Sequence, residues 1–312
     1  KRIMEPRGAT ELQHELLSKH VSKDILDNFQ ICTSIPGKVP LDKNKINILW
    51  QKNSYDQNNL QEFFRNQSRF NEYDWYVFNS HWTYEKFRYF FQIPEDKSIV
   101  IKNGTNNFPK RKIYKKGDPI KIIHHCTPWR GLNVLLLAMQ MVKNKDIVLD
   151  VYSSCDVYGS AFSDHHKKEF EPLFEQAREL PNVNYIGYKP NEYILDHMTD
   201  YDLFVYPCIF EETFCVSALE ALSAGLHVIT TNFGALPETC AEWPVYLNYT
   251  KNHDLLAESA AHAIDIASNY LHTEIIQNHL EEQQKFYKRF YSWEKKGMEW
   301  ENFLKGALNV KR

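Results

Sequence analysis

At 312 residues the chain exceeds what a single hydrophobic core usually supports, so two domains are expected. Its hydrophobic content of 43% is ample for packing, and a formal net charge of -3 gives no electrostatic basis for a nucleic-acid partner. The six cysteines include no CxxC pair, which argues against a zinc site and for reduced thiols in a cytoplasmic setting, and the longest apolar run, 134–139, is far too short to span a bilayer.

The chain opens on Lys1 rather than Met, so an upstream segment is expected, and Ile3 and Met4 make at most the stub of a strand. Gly8-Ala-Thr-Glu11 leads into a helix with Leu12, Leu16 and Leu17 on one side. Strands are predicted at 30–33, 46–50, 75–79 and 98–102, alternating with helical stretches at 60–69 and 82–91; that alternation is the pattern of a parallel sheet with helical crossovers. Residues 109–119, PKRKIYKKGDP, combine two prolines, a glycine and a basic cluster. They read as a solvated hinge, with peripheral contact to anionic lipid headgroups as the minor alternative.

A second domain begins with a strand at 120–125 and runs through the loop TPWRGL into a helix carrying Leu132, Leu135, Leu136 and Met139 on its core side. His124 and His125 are adjacent, so a strand points them to opposite faces and a shared metal is not expected. The strand at 147–152 ends on Ser153 and Ser154, and the strand at 184–186 is followed by Gly187-Tyr188-Lys189-Pro190.

The most informative stretch is 202–240. An apolar β-prone run, 203–206, is stopped by Pro207. A loop with Glu211 and Glu212 follows, and from Thr213 the spacing of Val216, Leu219 and Leu222 predicts a helix that Gly225 ends. A second strand at 226–230 leads to a loop with Asn232, Gly234 and Pro237. Glu212 and Glu220 are then roughly 12 Å apart along the helix axis. Between them the amides of Phe214, Cys215 and Val216 form an anion site by geometry and helix dipole. A sugar nucleotide presents sugar hydroxyls, a diphosphate and ribose hydroxyls in the same order as this carboxylate, amide and carboxylate array. Helices at 255–267 and 275–290 and an aromatic-rich amphipathic segment, YSWEKKGMEWENFLKGAL, close the chain.

Glu212-x7-Glu220, the small-residue helix, Gly225, the strand and Gly234-Ala-Leu-Pro-Glu238 together resemble the signature of retaining GT-B glycosyltransferases of family 4. The resemblance implies an α/β fold with two Rossmann-like domains facing across a cleft. Residues 1–109 would form the acceptor side, 110–119 the hinge, 120–290 the nucleotide-sugar domain, and 291–312 a helix returning to the first domain. It implies Glu212 at the donor sugar, Glu220 on the ribose, and Arg130 on the diphosphate, in the place of the family's Lys before Gly. His125 or Thr127 would be the second phosphate contact. Gly8 would approach donor and acceptor, and Ser154, Tyr188 and Lys189 would border the nucleotide. The chain departs from the family at Phe214 and Cys215, where a glycine is usual, and at Gln51, Lys52 and Asn53, where relatives commonly place a His.

The activity implied is transfer of a hexose-type sugar from a UDP- or GDP-linked donor to a hydroxyl of a glycan or other acceptor, with retention and without a metal or further cofactor. An NAD-dependent dehydrogenase and a Walker-loop NTPase drop out, because the eleven glycines fall in neither pattern. A silent sugar-nucleotide-binding module and a GT-B epimerase or phosphorylase remain as alternatives.

Overall fold

Short β-prone runs alternate with helices along the chain, and each crossover returns the backbone to a strand of the same direction. The outcome, in a computed structural model that describes residues 8–156 and 160–310, is two parallel sheets. The stub expected at Ile3 and Met4 lies outside the described residues. The first sheet has the order β1-β2-β3-β4, with β1 Phe29–Thr33, β2 Ile46–Gln51, β3 Trp75–Phe78 and β4 Ser98–Val100. Helices α1 (Ala9–His20), α2 (Lys23–Leu26), α3 (Asn58–Phe64) and α4 (His81–Phe91) accompany it.

The second sheet has the order β10-β9-β8-β5-β6-β7. Its strands are β5 Ile120–His124, β6 Ile147–Val151, β7 Val183–Tyr185, β8 Leu203–Tyr206, β9 His227–Thr231 and β10 Val245–Leu247. Its helices are α5 Leu132–Met141, α6 Ser160–Glu179, α7 Asn191–His197, α8 Val216–Ser223, α9 Leu236–Cys240, α10 His253–Tyr270 and α11 Glu274–Tyr291. Every residue of β8 and β9 is buried. Helices cover both faces, so β8 reads as a continuous apolar run rather than an alternating one.

The last helix, α12 (Trp293–Val310), returns to the first sheet. Trp300 meets Trp50 edge-on at 4.7 Å and Phe303 meets Trp75 at 5.4 Å. Beside this crossing runs the outgoing one: the Thr105 amide donates to Tyr291 O (2.8 Å) and the Trp293 amide to Thr105 O (3.0 Å). Only glycine fits at 104, since a Cβ there would lie 2.9 Å from the Trp293 ring.

Three differences from the sequence reading have physical causes. The 109–119 run is not a free, solvated linker. Arg111 donates to Gly225 O (3.1 Å) and to Gln277 Oε1 (2.8 Å), and Tyr114 is buried in the core of the second sheet, while Lys110, Lys112, Lys115 and Lys116 stay exposed. α6, α7 and β10 were not predicted. α6 is a charged amphipathic helix with Pro172 inside it, and β10 is a three-residue edge strand after Pro244. Finally, α8 begins at Val216, not Thr213, because residues 213–215 are spent on a loop whose Cys215 takes φ 61°. No described helix is long and apolar enough to cross a membrane.

Candidate active site

In the second sheet the chain runs from β5 outward to β6 and β7, then returns to place β8 on the other side of β5. That reversal opens a crevice at the carboxyl ends of β5 and β8, the place where open parallel sheets hold ligands. The loop after β5 carries Arg130 and the loop after β8 carries Glu212. The two loops are locked together: Gly131 takes φ 124° with its α-carbon against Pro207 O, and the Ile209 amide donates to Arg130 O (3.3 Å). Arg130 Nη1 thereby donates to Glu212 Oε1 at 2.5 Å, and the Tyr206 hydroxyl donates to the same oxygen at 2.6 Å. The guanidinium lies 4.4 Å over the Phe210 ring. Burial first, then the neighbouring Cys208 and Glu212, push the Tyr206 phenol far up, so it stays a donor. Glu212 is only 3% exposed, and both of these hydrogen bonds fall on Oε1. Gly234, at φ 60°, packs on the Glu212 backbone, where a Cβ would lie 2.6 Å from its N, and the Ala235 amide donates to Glu212 O (2.7 Å).

The cleft above these loops measures about 430 Å³ and is lined by residues from the loops and helices that accompany both sheets. Gly8 lies on its first-domain wall, Thr127 and Arg130 after β5, Ser154 after β6, and Tyr188 and Lys189 after β7. Glu212, Phe214, Cys215, Val216 and Glu220 line it from the loop and first turns of α8. The first intrahelical bond of α8 is Leu219 N to Cys215 O (3.2 Å), so the amides of Phe214, Cys215 and Val216 precede the ladder. Glu220 is buried and accepts on Oε1 from Asn191 (3.4 Å). Its Oε2 lies 3.2 Å from His125 Nε2, a hydrogen bond that needs the proton on Nε2. His125 is thus bound to Glu220, while the buried Thr127 Oγ1 has no hydrogen-bond partner among the described residues. The Ser154 hydroxyl is spent on Asp156 (2.9 Å).

The family described as "Glycosyl transferases group 1" matches residues 104–282, more than half of the chain. The chain belongs to this family. An uncharacterized glycosyltransferase of Methanocaldococcus jannaschii is 27% identical over 239 residues, 70% of this chain, and the chain spans 57% of the length of that curated relative. A glycosyltransferase structure from Rickettsia africae superposes with TM-score 0.67 at 16% identity over 98% of this chain and 83% of that one. HepE of Anabaena, solved with UDP and glucose, gives 0.63 at 13% identity over 84% and 72%. The sucrose-phosphate synthase of Thermosynechococcus elongatus gives 0.64 at 17% over 86% and 69%. At these identities the likeness shows the GT-B fold itself.

Two further features of this group 1 glycosyltransferase were not assigned from sequence. The first is the seam between the domains. Thr213, next to Glu212, donates through Oγ1 to Lys52 O (2.8 Å), while Ser80 donates to Thr213 O (2.7 Å). Glu238, the last residue of the Gly-Ala-Leu-Pro-Glu run, accepts the amides of His81 (2.9 Å) and Trp82 (2.8 Å) at the start of α4 and pairs with Lys102 (3.0 Å). A carboxylate there complements the helix dipole. The second is Lys52, standing where relatives were expected to place a His. It lines the cleft, 9% exposed, with Nζ donating to Asn103 Oδ1 (3.0 Å) and lying 3.5 Å from the Trp50 ring. Desolvation holds its ammonium well below the usual lysine range, against the opposing pull of Glu11. The chain also contains an Asp-x-Asp triplet, Asp200-Tyr201-Asp202. It precedes β8, at the end of the strand away from the cleft, and Asp202 accepts the Lys121 amide (2.9 Å) while the Tyr201 hydroxyl donates to Asp150 (2.7 Å). Among the described residues no three His, Cys, Asp or Glu side chains converge on a metal position. The six cysteines are buried and free.

Proposed function

We propose that this group 1 glycosyltransferase is of the retaining family-4 type and moves a hexose-type sugar from a UDP- or GDP-linked donor to a hydroxyl of a glycan or other acceptor. The observation that carries the reading is the meeting of Arg130 and Glu212 at the head of α8, with Glu220 eight residues on in the same cleft. In the proposed step the bond between the anomeric carbon and the diphosphate oxygen breaks with its electron pair going to phosphate. The acceptor oxygen bonds to the same face of that carbon, and its proton passes to the departing phosphate. Negative charge grows on the phosphate, where Arg130 and the α8 amides oppose it, and positive charge grows on the sugar, beside Glu212. Oε1 of Glu212 holds Arg130, and Oε2 orients a sugar hydroxyl. Glu220 takes the ribose hydroxyls. Arg130 and the amides supply the neutralising charge, so the reading includes no divalent ion.

HepE, solved with UDP and glucose, makes UDP the first nucleotide to try. The test is a thermal-shift screen of UDP and GDP, followed by product NMR. One nucleotide should raise the melting temperature, and the transferred sugar should keep its anomeric configuration in the presence of EDTA. An inverted product, or activity lost to EDTA and restored by Mn²⁺, overturns the mechanism.

A further inference from the structure

Away from the cleft, α4 turns Thr83, Phe87 and Phe91 into the first-domain core and leaves its other face uncovered. Tyr89 and Phe90 on that face are 79% and 51% exposed. Tyr55, from the loop after β2, lies flat on Phe90, with centroids 4.6 Å apart and an interplanar angle of 12°, and meets Trp82 edge-on at 6.4 Å. Lys86 Nζ stands 5.3 Å and 5.1 Å from the Tyr55 and Trp82 rings. The same face holds a hollow of about 500 Å³, rimmed by His81, Glu85 and Lys86. Single exposed hydrophobes are ordinary on a protein surface, but a cluster of rings around a polar-rimmed hollow marks a binding surface.

The cluster borders the seam between the two domains. The amides of His81 and Trp82 are held by Glu238 of the second domain. Burial raises the Tyr55 phenol first, and the Glu211 carboxylate, next in sequence to Glu212, adds to it. The rings therefore flank the seam beside the catalytic loop. Charge decides among occupants. Asp56, Glu85 and Glu211 lie beside the patch, and Arg88 is bound to Glu85 and Glu95, so among the described residues Lys86 is the one patch cation without a carboxylate hydrogen bond, far short of the four to eight basic residues that binding to an anionic bilayer uses. A sugar ring fits better: its C–H faces lie against flat aromatic rings, and its edge hydroxyls meet the charged and imidazole groups of the rim.

We propose that the aromatic face formed by α4 and Tyr55 is a glycan-binding platform that holds outer sugar residues of an extended carbohydrate acceptor while its terminal hydroxyl reaches the cleft. The proposal rests on the transferase reading above. Labelled wild-type protein and the Tyr89→Ala/Phe90→Ala double variant are compared on an array of immobilised neutral and uronic oligosaccharides, and by sedimentation with phosphatidylcholine–phosphatidylglycerol vesicles. Both side chains are exposed, so the variant should keep the wild-type melting temperature and its shift with UDP. Wild-type protein should bind at least one glycan of three or more sugars, and the variant should bind it at least tenfold more weakly. Equal binding by the two proteins, no glycan bound, or vesicle binding that the double variant loses overturns the platform. Absence of any nucleotide shift in the wild type would instead strike at the transferase reading.

Discussion

Replacing Glu212 by Gln keeps the shape of the side chain and removes its charge. Oε1 of Glu212 accepts from Arg130 at 2.5 Å and from Tyr206 at 2.6 Å in a pocket that leaves the residue 3% exposed. A glutamine carbonyl still accepts both donors. What disappears is the charge-assisted part, the difference between about 1.5–3 kcal/mol for a bond between ionised groups and about 0.5–1.5 kcal/mol for a neutral one. The variant should lose about 1 kcal/mol of stability, seen as a lower urea midpoint at unchanged m-value. The same 1 kcal/mol no longer holds Arg130 to Glu212, so a diphosphate meets a guanidinium with less local compensation. Nucleotide affinity should equal the wild type's or exceed it by about fivefold. Turnover should fall by about 10²-fold or more, because the proposed mechanism loses the carboxylate beside its developing positive charge. Calorimetry with UDP and GDP and single-turnover rates with the matching sugar nucleotide measure both. Nucleotide binding weakened tenfold would show that Glu212 serves to hold Arg130 in place, and undiminished turnover would remove Glu212 from the mechanism.

Other outcomes follow from the same geometry. Glu220→Ala should weaken nucleotide binding by about 1 to 3 kcal/mol, the scale of lost charge-assisted hydrogen bonds, and wild-type affinity in calorimetry would reject the ribose assignment. Lys52 has its ammonium depressed by burial, so the unfolded chain binds that proton more tightly, and the residue works against folding below the ordinary lysine pKa. Lys52→Met should therefore raise the urea midpoint at pH 7, and a lowered midpoint would mean that the Asn103 and Trp50 contacts outweigh desolvation. Burial takes His124 and His227 down to about 4, against 6.5 when exposed, so the stability each contributes is intact above pH 6.5 and is lost as pH falls toward 4. At about 1.4 kcal/mol per unit this reaches about 3 kcal/mol for each histidine. Urea midpoints taken from pH 7 to pH 4.5 should drop, less steeply in His227→Phe, and identical slopes for the two proteins would contradict the assignment.

The sequence by itself determined the local pieces. The run Leu203–Tyr206 ended by Pro207, the apolar period of Val216, Leu219 and Leu222, and the Glu212 and Glu220 spacing are each written within a few turns of chain, where periodicity and turn chemistry decide. The tertiary structure decided what those pieces meet. Arg130 and Glu212 are 82 residues apart, and they touch because β8 lies beside β5 at the point where the sheet reverses. Arg111 and Tyr114, read as parts of a solvated linker, are fastened to the second domain by Gly225 and the core of its sheet. Cys215 occupies a left-handed backbone position where glycine has the least strain, because the loop before α8 is held from the first domain through Thr213. Glu238 looked like one residue of a motif, and its carboxylate binds the first turn of α4 across the domain seam. Local pattern fixes which residues face a core or start a helix; strand order and domain contact, which bring distant residues into one cleft, have no local signature.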